Sequence, residues 1–138
     1  RAWGSDIGPD HTPFESGLGW AVKLRKNIDF KGRSAAQKQK SDGVAKMLAC
    51  FTIDDPEVIL LGRETIYRNG ERVGWLTSGG FGHTIGKPIG YGYIRNPKGV
   101  DASFVESGEY EREVATIRVK ANVHMEPLYD PLMDRIKS

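Results

Sequence analysis

The amino-acid sequence predicts a mainly β protein: an antiparallel β-barrel or sandwich, preceded by a short α/β segment. Three observations lead there. Seventeen glycines and seven prolines cut the 138 residues into short pieces. One run, Arg33 to Lys40, lacks both and is rich in helix formers. After Gly43, apolar residues either alternate as strands do or gather in short, wholly apolar runs.

The elements follow in order. Asp6 to Gly17 is polar and turn-rich. Leu18 to Leu24 alternates, which predicts a strand with Leu18, Trp20, Val22 and Leu24 on one face. Residues 33–40 predict a short helix stopped by Gly43, with Lys38 and Lys40 suited to its C-terminal dipole. Met47 to Ile53 is apolar on both faces, as in a strand buried on two sides. Asn69-Gly70 supplies the two positive-φ positions of a type I′ turn, so 66–68 and 73–77 predict a hairpin. Thr77 to Gly82 reads as a tight turn, with backbone anion binding as the alternative. Pro88 to Ile94 predicts a strand whose glycines bend it or admit another backbone closely. Ile117, Val119, Ala121, Val123 and Met125 alternate with polar residues and predict a strand with one buried face. The division falls at Gly43: residues 1–43 as the end of a preceding domain, residues 44–138 as the β domain.

Composition narrows function. Twenty Lys+Arg against eighteen Asp+Glu leave a net charge of +2, so nucleic acid is not the expected partner. Cys50 is the single cysteine, which excludes an intrachain disulfide and a cysteine cage for zinc. No apolar run approaches the ~20 residues that span a bilayer, so no membrane partner is expected. The opening Arg1-Ala2-Trp3-Gly4 lacks Met and reads as a cut into a longer protein.

No catalytic set and no metal set stands out. His11, His83 and His124 lack ligand spacing, and Cys50 sits in an apolar strand as an inert thiol. Asp10, Glu15 and Asp29 read as surface or capping carboxylates. Gly90-Tyr91-Gly92 lacks the strand-then-helix setting of a dinucleotide loop. Lys23, Arg25, Lys26, Lys31 and Arg33 form either a solvated face or an anion site. Trp3, Trp20, Trp75, Tyr91 and Tyr93 could stack on a heterocycle, with core packing the commoner role.

Motifs in a fixed order add a family. Gly4-Ser5-Asp6-Ile7, Thr12-Pro13-Phe14-Glu15-Ser16-Gly17-Leu18, Asp29-Phe30-Lys31-Gly32, Gly74-Trp75-Leu76-Thr77-Ser78-Gly79 and Ile89 to Ile94 together resemble the aminomethyltransferase (glycine cleavage T-protein) family. The Asp10 to Leu18 wording and the closing Pro127-Leu128-Tyr129-Asp130-Pro131 are most similar to the folate-binding halves of sarcosine and dimethylglycine dehydrogenases.

The resemblance implies a C-terminal β-barrel and the end of a folate-binding domain. It implies tetrahydrofolate as cofactor, with FAD in an N-terminal domain of the same parent chain. The parent would oxidise an N-methyl amine and pass the one-carbon unit to tetrahydrofolate. The family's pterin-anchoring glutamate and its one-carbon aspartate would both precede Arg1, so this segment alone is expected to be inactive. A family folate-contacting arginine falls at Lys26, or at Arg25 with a one-residue slip, and a C-terminal contact near Arg135. Lysine at 26 would give up bidentate geometry. Some relatives are regulatory, resembling the regulatory subunit of pyruvate dehydrogenase phosphatase, and a non-catalytic module is the alternative. Related transferases with a sulfonium methyl donor are the least favoured reading. A bacterial parent would be cytoplasmic and a eukaryotic one would lie in the mitochondrial matrix.

Overall fold

The computed structural model describes residues 1–137. Strands β1 (Val44–Thr52), β2 (Thr65–Arg68), β3 (Glu71–Gly82), β4 (Lys87–Val100), β5 (Tyr110–Val114) and β6 (Ile117–His124) close into a barrel. The order around it is β1-β4-β3-β2-β5-β6, every neighbour antiparallel. Of barrel and sandwich, the chain takes the barrel. The closing seam between β1 and β6 is short, pairing Cys50 with His124, Phe51 with Val123 and Thr52 with Asn122.

The seven residues from Met47 to Ile53 lie almost wholly within β1, whose second half is buried on both faces. One face fills the barrel with Phe51, which packs with Ile66, Leu76, Ile94, Val105 and Tyr110. The other lies under the N-terminal arm, whose Glu15 carbonyl accepts the Leu48 N–H at 2.8 Å. Each apolar side chain buried this way contributes roughly 1.5–3 kcal/mol. The Asn69-Gly70 turn has φ of 51° and 82°, as the hairpin requires. Gly92 meets the predicted close approach: a Cβ there would lie 2.6 Å from the Trp75 carbonyl oxygen.

Several expectations fail. Leu18 to Leu24 is not a strand; Gly19–Ala21 forms a 3-10 turn with local hydrogen bonds from Ala21 and Val22 to Leu18 and Gly19. Its alternation meets no strand to pair with among the described residues, and two glycines in the stretch from 17 favour turning. Thr77 to Gly82 is not a turn but the second half of β3, whose small residues allow β4 to lie close. Ile117 is 67% exposed rather than buried. It opens β6 directly after the Ala115-Thr116 turn, at the barrel rim.

Among the described residues, three α-helices complete the fold. α1 (Arg33–Asp42) ends on Gly43, whose N–H returns to the Gln39 carbonyl. α2 (Ala102–Glu106) begins at Asp101, whose carboxylate caps the Phe104 N–H at 2.7 Å, and buries Val105 against the core. α3 (Asp134–Lys137) starts where Asp130 accepts the Asp134 N–H.

Among the described residues, Arg112 and Asp6 are the charged residues among the buried polar ones. Arg112 on β5 is fully buried, its guanidinium 3.5 Å above the Phe51 ring. Among the described residues its Nε and Nη2 have no hydrogen-bond partner, nor does the buried Oε2 of Glu64. Asp6 is 2% exposed at the junction of arm and barrel. It accepts from the Ala2 N–H at 2.8 Å and from the Thr77 hydroxyl at 2.6 Å. Thr77 reaches it because the β3–β4 register slips between Leu76 and Ser78, a bulge that re-aims the side chain.

Candidate functional site

Gly19, Trp20 and residues 22–26 line a cleft of about 600 Å³, together with Phe14 and Lys40. Arg25 and Lys26, the predicted anion contacts, both line it. So do Lys23 and Lys40, and no carboxylate does. Lys40 comes from the last turn of α1. Its helical spacing gave no sign that it would turn back toward Arg25.

The loop bearing Arg25 and Lys26 is held by Arg33. That guanidinium donates to the carbonyls of Leu24, Lys26 and Ile28 at 2.9, 2.9 and 2.7 Å. Arg33 therefore braces the cluster rather than facing a ligand. Trp20 is 74% exposed and lines the cleft, with the Lys23 ammonium 6.0 Å from its ring centroid. Core packing, expected of the aromatics, does not hold for Trp3, Trp20 or Trp75, which are 76%, 74% and 42% exposed. It holds for Tyr93, which is buried.

Arg135 is not in this cleft. It sits on α3, where its N–H donates to Asp130 and its guanidinium to the Tyr129 hydroxyl.

Several other candidates are engaged structurally. His11 accepts the Gly8 N–H and stacks on Tyr93 at 4.4 Å. His124 bonds the Thr52 hydroxyl at 2.9 Å, and burial pushes its pKa down. Burial pushes the Cys50 thiol up to about 11, which leaves it protonated and unreactive at neutral pH. Glu15 and Thr12 cap each other's N–H groups in a reciprocal box. Among the described residues, no three His, Cys, Asp or Glu side chains are placed to hold a metal ion. No described helix is long and apolar enough to cross a membrane.

A closed antiparallel barrel with a cation-lined cleft on the arm leading into it defines a β-barrel module. The family pattern described as the glycine cleavage T-protein C-terminal barrel domain matches residues 46–130. The chain belongs to that family, the aminomethyltransferases. It is 41% identical over 139 residues to mitochondrial sarcosine dehydrogenase of Mus musculus, covering 99% of this chain and 15% of that protein. It is 37% identical over 137 residues to the mitochondrial pyruvate dehydrogenase phosphatase regulatory subunit of Mus musculus, covering 91% of this chain and 16% of that one. The crystal structure of glycine cleavage system aminomethyltransferase T from Bartonella henselae superposes with a TM-score of 0.74 at 28% identity, covering 90% of this chain and 34% of that one. The chain thus spans about one sixth of the length of these curated relatives.

Proposed function

We propose that this chain is the C-terminal part of a tetrahydrofolate-dependent protein of the sarcosine and dimethylglycine dehydrogenase kind. In it, the Lys23–Lys26 loop with Lys40 receives the carboxylates of the folate glutamate tail. The observation that carries this reading is the cleft itself: four cations and an exposed indole with no acidic wall. The donor set fits the group. Arg25 offers a planar fork to one carboxylate, and Lys23, Lys26 and Lys40 offer point charges to a second. Trp20 offers a flat face to the ring that joins tail to pterin. Tetrahydrofolate, when bound, supplies the nitrogen that accepts the one-carbon unit. This chain's residues hold the tail and so orient the far end, a contribution of positioning. Arg135 is a second, C-terminal contact on this reading.

Residues 1–43 then close the folate-binding domain and residues 44–138 are the barrel domain. The pterin anchor and FAD belong to the chain upstream. An N-methyl amine is the parent's substrate. The compartment follows the parent, cytoplasm in a bacterium and mitochondrial matrix in a eukaryote.

Calorimetry with tetrahydrofolate tests this on the full-length parent beside this chain. The parent is expected to bind, and the chain alone to bind far more weakly. Replacing Arg25 and Lys26 with Ala in the parent should weaken binding about tenfold or more, since each charge-assisted hydrogen bond contributes about 1.5–3 kcal/mol. Unchanged affinity in that variant removes the cleft assignment. A parent that binds no tetrahydrofolate favours the second reading, a non-catalytic regulatory module, which the likeness to the phosphatase regulatory subunit supports.

A further inference from the structure

A second cleft, of about 460 Å³, lies on the barrel wall and shares no residue with the first. Its walls are Gly4, Ser5, Arg63, Trp75, Leu76 and Thr77. We propose that it is a separate oxyanion site, taking a phosphate or carboxylate carried on a flat ring.

Three observations converge on it. The first is backbone. Arg63 has φ of +75° and follows Gly62 at +95°. A side chain is disfavoured in that conformation, and glycine would be relaxed there. The turn is nonetheless pinned to β3, because Arg63 N–H donates to the Leu76 carbonyl and Leu76 N–H to the Glu64 carbonyl, both at 2.8 Å. The strained backbone thus sets an exposed arginine at the edge of the cleft.

The second is charge. Among the described residues the Arg63 side chain makes no hydrogen bond or ion pair, and no Asp or Glu lines the cleft. Arg95 lies outside the cleft, stacked 4.0 Å over the Trp75 ring and donating to the Tyr93 carbonyl. The Thr77 hydroxyl is committed to the buried Asp6 carboxylate behind the wall, which leaves Arg63 as the charged side chain on the cleft surface. The third is shape. Trp75 stays 42% exposed on a strand whose neighbour Leu76 is fully buried, so beyond the side stacked on Arg95 part of the indole is open beside Arg63. A fork-shaped cation beside an indole suits an oxyanion joined to an aromatic ring.

The test uses the full chain with Trp3→Phe and Trp20→Phe, which leaves Trp75 as the only indole. Its fluorescence is titrated with phenyl phosphate, benzoate and inorganic phosphate at fixed ionic strength. Saturable change with phenyl phosphate or benzoate is expected, with inorganic phosphate at least tenfold weaker. Arg63→Gly should weaken binding at least tenfold. Its thermal midpoint should equal or exceed the parent's, because glycine relaxes the turn, so the loss cannot be unfolding. No saturable change overturns the proposal. So does equal binding by inorganic phosphate, or unchanged affinity in Arg63→Gly.

Discussion

Arg112 is a fully buried cation short of hydrogen-bond partners. Taking a guanidinium out of water is costly unless partners replace the solvent, and here one N–H reaches the Glu111 carbonyl while Nε and Nη2 reach none among the described residues. Burial therefore pulls its pKa down to about 9, against smaller opposing pulls from Tyr110 and Glu64. Stacking on Phe51 offsets part of the loss. Arg112→Met should raise the stability to urea, by about 1–4 kcal/mol if it follows buried ion replacements elsewhere. The sign with pH is fixed. Below about 9 the folded chain holds the charge and the penalty is complete; above it, the unfolded chain binds a proton that the folded chain has released, so the penalty shrinks. The advantage of the variant should narrow between pH 8 and pH 10, and a constant difference would sink this account. None of this is legible in Tyr110-Glu111-Arg112-Glu113, which reads as a polar stretch. Only the closing of the barrel places one of its charges inside.

Among the elements, the arm and β3 are joined through Asp6. Burial alone would push its carboxyl up. The Thr77 hydroxyl, the Ala2 N–H and the Ser78 side chain outweigh burial and hold it below its ordinary 3.8. A depressed carboxylate stabilises the fold above its unfolded pKa, and that contribution is lost as pH falls through the folded value. Acid unfolding should accordingly weaken the chain below about pH 4, and Asp6→Asn should flatten that dependence while costing about 1–3 kcal/mol at neutral pH. Urea titrations between pH 2 and 6 compare the two. The sequence revealed the elements whose signals are local: the Asn69-Gly70 hairpin, the apolar β1, the glycine-spaced β4 and the helix ending on Gly43. It misjudged 18–24 and 77–82, because alternation and glycine content do not reveal whether a partner strand exists. It passed over α2, a single turn marked by little more than the Asp101 cap.

At the scale of the molecule, the first forty-odd residues divide into two stretches held to different degrees. The stretch to Gly17 is tied down by Asp6, by Tyr93 bonding the Asp6 carbonyl at 2.9 Å and Ser16 at 3.1 Å, and by Glu15 on β1. The stretch that follows buries no residue in its 3-10 turn or in α1. Hydrogen exchange should show protection at Asp6, Ser16 and Leu48, and fast exchange from Ala21 to Lys31. Uniform protection from Ile7 to Leu24 would contradict it. The cleft was legible to the same degree. Arg25 and Lys26 could be named from the family wording, whereas Lys40 and the bracing by Arg33 depend on how α1 folds back, which no local pattern encodes.

The short seam between β1 and β6 has a consequence for biosynthesis. The first stave finds one of its two neighbours only in the last, through Cys50 and His124. A nascent chain leaving the ribosome therefore presents β1 with one edge open until residues beyond His124 have emerged. Throughout that interval an apolar strand is available to other chains. Stalling translation ahead of β6 should yield a species that chaperones hold, and release past it one that they let go.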